Sequence, residues 1–287
     1  MVSLPSSVSV AHTASGLRYF EVQHPLLSAR IFEQGAQLVQ FQSVGKPPML
    51  WVSEAEPFKP GAAIRGGIPV CWPWFGPDPQ GIGPAHGLAR TQTWQLYLAQ
   101  QTDSSVCLGF RFQITESSMA GLGAELVFEL SDRLRLTLIT HNRSEKRLTF
   151  SSALHSYFPV GDIRQALLSG AAGRQYTDSL SSAQSTESEQ QLVFDQEVDR
   201  IYYGSSPWQL CSPTLCLNIE SEGSGSTVVW NPWIEKSARL SHFNPDDYLR
   251  MLCVETANCG ADSRLLEPGQ QHVMAVEYSY LPLANSP

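Results

Sequence analysis

Apolar and polar residues alternate with period two through most of the chain. Leu108, Phe110, Phe112 and Ile114 fall on one side of an extended segment, as do Leu126, Phe128 and Leu130 of a second and Leu134, Leu136 and Leu138 of a third. Each set is interleaved with more polar residues, and since a strand repeats its faces every two residues, the pattern predicts antiparallel strands with one buried face. Ser131-Asp132, between the second and third sets, predicts a tight hairpin. Pro268-Gly269 predicts a turn that feeds a final strand over His272 to Tyr280. Apolar spacing with a period of 3.6 is nearly absent over any run of about twelve residues, so the chain reads as all-β. Many short strands separated by turn signals predict a sandwich or barrel. No internal repeat is evident, and residues 179–191, rich in Ser, Gln and Glu, predict a solvated loop inside a single domain that spans 1–287.

Charge narrows the partners. A net charge of -8 and a pI near 5.4 speak against nucleic acid or an anionic membrane surface as the main partner. No stretch approaches the ~20 apolar residues of a membrane span, and the first residues lack a basic and an apolar signal region, so a soluble cytoplasmic protein is expected. The six cysteines, Cys71, Cys107, Cys211, Cys216, Cys253 and Cys259, mostly lie in apolar or strand-like runs and read as free thiols in a reducing compartment. No CxxC or paired Cys/His spacing points to a metal, so none is expected. Asn142-Arg143-Ser144 is a glycosylation sequon that, without a secretion signal, reads as incidental.

The densest chemistry lies in Ile64-Arg65-Gly66-Gly67-Ile68-Pro69-Val70-Cys71-Trp72-Pro73-Trp74-Phe75-Gly76-Pro77, followed by His86-Gly87-Leu88-Ala89-Arg90. Glycine and proline fix an irregular backbone. The aromatic rings offer flat apolar walls, and Arg65 and Arg90 supply planar donor forks suited to an anion. Two further residues stand out because they interrupt apolar runs. Glu255 lies within Met251-Leu252-Cys253-Val254-Glu255-Thr256, where burial would raise its pKa and make it a better base near neutral pH. An outward-facing or arginine-paired Glu explains the local pattern equally well. His155, within Ala153-Leu154-His155-Ser156-Tyr157-Phe158, is an acid with an ordinary pKa near ~6.5, or else a hydrogen-bonded core histidine.

The Arg65 to Arg90 segment resembles the hallmark of the glucose-6-phosphate 1-epimerase group within the aldose 1-epimerase superfamily. Leu154 to Phe158, Val198-Asp199-Arg200-Ile201-Tyr202, Val229-Trp230-Asn231-Pro232-Trp233 and Cys253 to Ala257 follow in the family's order, so the resemblance covers roughly residues 18 to 280. It implies the large twisted β-sandwich of galactose mutarotase-like proteins. It also implies interconversion of the α and β anomers of a hexose 6-phosphate, which needs one base and one acid, no cofactor and no metal. On the family's pattern Glu255 is the base that takes the C1 hydroxyl proton and His155 the acid. Asp199 helps to orient the ligand or the histidine.

Arg65 and Arg90 then form the expected phosphate clamp. His86 either contacts ligand hydroxyls or holds the loop. Trp72 and Phe75 are expected as walls against the sugar and Asn231 as a ligand contact, although the aromatics could equally be core packing. One departure stands out: where the family commonly reads Tyr-x-Asp-Lys, this chain has Tyr176-Thr177-Asp178-Ser179, so a cation is missing. The expected partner is a small hexose 6-phosphate bound by a monomer. Three other readings remain: an aldose 1-epimerase acting on unphosphorylated sugar, a non-catalytic carbohydrate-binding sandwich, and a retaining glycosidase using Asp199 and Glu255.

Overall fold

The three alternating segments become three neighbouring strands, Val106–Gln113, Leu122–Leu130 and Leu134–Asn142, in a computed structural model that describes residues 2–204 and 207–283. Leu108, Phe110, Leu126, Phe128, Leu130, Leu134, Leu136 and Leu138 are all buried on one face. The turn at Ser131 closes as expected, with the Ser131 amide donating to the Arg133 carbonyl at 2.9 Å. These strands belong to a nine-stranded sheet that also contains the final strand, Gln271–Tyr280. A second, eight-stranded sheet runs in the order Gln184–Thr186, Gln175–Asp178, Val198–Tyr203, Ser226–Asn231, Met251–Asn258, Ser152–Leu154, Val70–Cys71, with Tyr157–Pro159 also paired to Met251–Asn258. All ladders in both sheets are antiparallel. Among the described residues the one α-helix is the short turn Trp233–Ser237.

The two large sheets pack face to face. Val198, Tyr202, Val229, Leu252 and Val254 from one meet Leu168, Trp208, Leu217, Val276 and Tyr278 from the other in a shared core. Each such side chain contributes about 1.5–3 kcal/mol when fully buried. Polar groups caught between the sheets are satisfied across them. Trp72 Nε1 donates to Thr140 Oγ1 at 3.1 Å, Trp208 Nε1 donates to Thr227 Oγ1 at 3.0 Å, and the Ser156 and Tyr278 hydroxyls meet at 2.6 Å.

Two expectations change, and a third, that the Asn142 sequon is incidental, gains a physical reason. Cys211 and Cys216 face each other across the hairpin of Trp208–Cys211 and Cys216–Glu222 and are joined as a disulfide, whereas Cys71, Cys107, Cys253 and Cys259 are free. The pairing follows from hairpin register, which a count of spacings does not reveal. Residues 179–191 are mostly exposed, as expected, but include the edge strand Gln184–Thr186 and the buried Glu187, which accepts a hydrogen bond from the Tyr202 hydroxyl at 3.0 Å. The Asn142 amide is buried and donates to the carbonyls of Lys146 and Leu266, so in the folded chain it is closed to glycosylation.

Candidate active site

The eight-stranded sheet has one face on the core and the other open to a cleft, and strand parity decides which residue goes where. Asp199, Trp230, Cys253 and Tyr157 lie in one cross-strand row, and Ile201, Val228 and Glu255 in the next row on the same face. Ala153, His155 and Tyr157 turn to the cleft side, while Leu154, Ser156 and Phe158 turn inward. Two residues a hundred positions apart are thereby brought together: His155 Nε2 lies 3.3 Å from Glu255 Oε1. Both are almost wholly buried, and His155 Nδ1 and Glu255 Oε2 have no hydrogen-bond partner. Tyr157 stacks on the His155 ring with centroids 4.8 Å apart, and Trp230 meets its edge at 5.8 Å. These rings fix the imidazole plane.

The glycine-rich segment supplies the rim. Gly66 and Gly67 both have positive φ and are pressed against Val52 and Leu38, where a Cβ would meet backbone atoms at 2.4 and 2.2 Å. Only glycine fits there, and the tight crossing sets Arg65 beside Tyr157, to whose hydroxyl its Nη1 donates at 3.4 Å. Gly87 packs on the Trp72 carbonyl in the same manner. That contact places His86 and Arg90 over the cleft, with the His86 ring 4.9 Å from Phe75 and 6.0 Å from His155. Arg90 Nη2 donates to the Ala85 carbonyl at 2.6 Å, bracing the loop, while its Nε is buried without a partner.

Arg65, Phe75, His86, Arg90, His155, Asp199, Trp230, Lys236 and Glu255 therefore share one cleft of about 310 Å³, within the range of small-molecule sites. A larger cavity of about 500 Å³ lies behind the same loop, between Trp74, Ile82, Leu88, Met119 and Phe150. It is mostly apolar and contains no paired acid and base.

Burial, then the Asp199 carboxylate, push the Glu255 carboxyl well above its ordinary value, with Arg90 opposing them. Burial, followed by His86, Arg90 and Arg65, holds the His155 imidazolium well below its ordinary value. Burial, then Arg90, Arg65 and Lys236, bring His86 down to about 4. Both displacements widen the pH range in which the Glu255 and His155 pair holds a single proton, and its two proton losses belong to the pair rather than to either residue. A carboxyl with a raised native pKa binds more protons folded than unfolded, so it costs stability as pH rises above about 4.5. Glu255→Gln is accordingly expected to raise the melting temperature near pH 8, by roughly 2–4 °C for each kcal/mol gained, and to lose that advantage by pH 4. Thermal melts of both proteins across that range test this.

Two expected contacts are corrected by parity. Trp72 is fully buried in the core between the sheets, on the opposite side from Cys71. Asn231 is also fully buried; its amide donates to the carbonyls of Tyr248 and Met251, and its Oδ1 accepts from the Trp233 amide. Neither reaches the cleft, whereas Trp230, one residue earlier, does.

Lys236 was not signalled by the sequence, because it comes from the short helical turn that follows the Trp230 strand. Its Nζ lies 3.0 Å from Glu197 Oε1 and 3.5 Å from Asp199 Oδ2, beside the cleft. It supplies a cation on the Asp199 side of a site where Ser179 stands in place of the family's usual lysine. His155, Cys253 and Glu255 bring one nitrogen, one sulfur and one oxygen within 4.8 Å of one another, but burial keeps Cys253 a protonated thiol rather than the thiolate a zinc site needs, so the donor set does not fit a metal.

The family model described as Aldose 1-epimerase matches residues 18–279. A Haemophilus influenzae protein is 34% identical over 245 residues, covering 83% of each chain. A Salmonella typhimurium protein is 31% identical over 252 residues, covering 86% of this chain and 85% of its own. Both carry the name "Putative glucose-6-phosphate 1-epimerase". A Salmonella typhimurium crystal structure described as "a putative mutarotase" matches with a TM-score of 0.88 at 28% identity, covering 98% of this chain and 95% of its own. Galactose 1-epimerase from Lactobacillus acidophilus shares the fold, with a TM-score of 0.74 at 13% identity over 98% of this chain and all of its own.

Proposed function

The chain belongs to the aldose 1-epimerase family and is an isomerase, and from that membership we propose that it interconverts the α and β anomers of D-hexose 6-phosphates. The observation that carries this reading is the Glu255 and His155 pair at the floor of a cleft whose rim holds two arginines, neither bonded to a carboxylate through its guanidinium. Glu255 takes the proton of the C1 hydroxyl, His155 gives its proton to the ring oxygen, and the bond from C1 to that oxygen breaks. The aldehyde then turns about the C1–C2 bond. On closure Glu255 gives its proton back to the C1 oxygen and His155 takes one back from the ring oxygen, so both residues regain their starting protonation states and no redox partner is consumed.

Arg65 and Arg90 bind the phosphate by charge-assisted bonds, while Phe75 and Trp230 wall the sugar. Asp199, tied to Lys236, meets its hydroxyls. His86, held uncharged, donates or accepts one bond to the ligand. A free-sugar aldose 1-epimerase would use the same pair but leave the arginines without a task, and a binding module would need neither acid nor base. The shared core favours one domain. Among the described residues no helix is long and apolar enough to cross a membrane. A phosphorylated metabolite as substrate supports a cytoplasmic location, as do four free thiols, while the Cys211–Cys216 disulfide argues against it.

The deciding experiment compares anomer interconversion of glucose 6-phosphate with that of glucose; equal kcat/KM would replace the phosphate reading with the free-sugar one. The pH profile is a second test. Because Glu255 is displaced upward and His155 downward, activity is expected on a plateau where the pair holds one proton, falling on the acid side when a second proton binds and on the alkaline side when the last is lost. A rate that stays flat over the whole pH range in which the protein remains folded, after subtraction of the spontaneous reaction, would contradict this assignment.

A further inference from the structure

With one proton on the pair, two arrangements exist: protonated Glu255 beside neutral His155, or carboxylate beside imidazolium. Only the second has base and acid ready. The cleft is uneven in charge. Arg65 reaches the Tyr157 hydroxyl, and Tyr157 stacks on His155, so this cation flanks the histidine; His86 lies 6.0 Å from the same ring. Asp199 lies toward Glu255 on the far strands, and Lys236 is spent on Asp199 and Glu197. Arg90 acts on both members of the pair. Cys253, the remaining titratable neighbour on the Glu255 strand, stays a neutral thiol because burial pushes its pKa well upward. Glu56 touches Arg65 through that residue's backbone amide at 2.7 Å.

We propose that the anionic group of the substrate is a switch for the acid as well as a handle: an oxyanion seated on Arg65 and Arg90 moves the shared proton from Glu255 to His155, even when the anion is not joined to the sugar. This rests on the hexose phosphate reading above. Without the anion, positive charge on the histidine side opposes the imidazolium, and burial opposes both charged groups. A dianion against Arg65 and Arg90 cancels the positive charge of the two arginines that oppose the imidazolium of His155. Neighbouring charges of this kind move a pKa by about 1–3, which corresponds to about 10- to 10³-fold in the share of the ready arrangement. Arg90 spends one Nη2 hydrogen on the Ala85 carbonyl, which leaves the other donors of its guanidinium for such an anion.

The test uses the reaction in two pieces. D-xylose, which lacks the C6 carbon and its oxygen, leaves the phosphate position free, and sodium phosphite at constant ionic strength supplies the dianion. Phosphite is expected to raise kcat/KM for xylose at least about tenfold with saturation, and to move the alkaline limb of the xylose profile upward by about one pH unit. The imidazole NMR signal missing from His155→Gln should titrate at higher pH in phosphite, and Arg65→Ala should abolish the response. No acceleration, acceleration with an unmoved alkaline limb, or an unmoved imidazole titration each overturns the switch. If these fail while glucose 6-phosphate still outperforms glucose, only the switch falls; equal use of the two sugars instead defeats the hexose phosphate reading.

Discussion

Glu255→Gln is expected to lower mutarotation by at least about 10²-fold, and His155→Gln to do the same, with both proteins still folded. Glutamine keeps the volume of Glu255 and can still hydrogen-bond the imidazole, but it cannot take the C1 hydroxyl proton. General acid–base catalysis contributes about 10²–10⁴-fold per group. Because the residues lie 3.3 Å apart and exchange one proton, they act as a unit. The double variant should therefore be scarcely slower than either single variant, the non-additive result expected of coupled groups. Anomer interconversion measured by polarimetry or NMR decides it. Activity near that of the parent in either single variant would remove that residue from the mechanism, and fully multiplicative losses would show that the two work independently.

The sheet architecture was legible because burial on one face forces period-two alternation: Leu126 to Leu130 and Leu134 to Leu138 needed no tertiary information to be read as strands. The site was only partly legible. Glu255 and His155 were visible as polar interruptions of apolar runs, but what joins them is the pairing of Ser152–Leu154 and Tyr157–Pro159 with Met251–Asn258, a long-range register. Trp72 and Asn231 went astray for a single physical reason. A segment whose two faces are both buried, one on the core and one under a cleft, shows no polar alternation to mark which side is which, so Trp230 and Asn231 could not be told apart. Lys236 left no trace, since a single helical turn has no periodicity long enough to read. The Cys211 to Cys216 disulfide was likewise hidden in a hairpin whose register only the fold reveals.

Glucose 6-phosphate is expected to exceed glucose by at least about 10²-fold in kcat/KM. Two charge-assisted bonds from arginine are worth roughly 3–6 kcal/mol before water compensates for their loss. That energy comes from a point remote from the anomeric carbon, so it acts by holding the ring between Glu255 and His155. Arg65→Ala is the cleaner test, because among the described residues the Arg65 guanidinium hydrogen-bonds only the Tyr157 hydroxyl, whereas Arg90 braces the Ala85 carbonyl and its removal disturbs the loop that carries His86. Arg65→Ala should erase most of the preference for the phosphorylated sugar and change the weak turnover of glucose far less. Arg90→Lys, which keeps the charge and loses the planar fork, should fall between the parent and Arg65→Ala. Inorganic phosphate should compete with glucose 6-phosphate, and rising salt should weaken the phosphorylated substrate selectively. If Arg65→Ala lowers both sugars equally, that arginine shapes the cleft rather than gripping a phosphate, and the preference must be sought at Arg90 and Lys236.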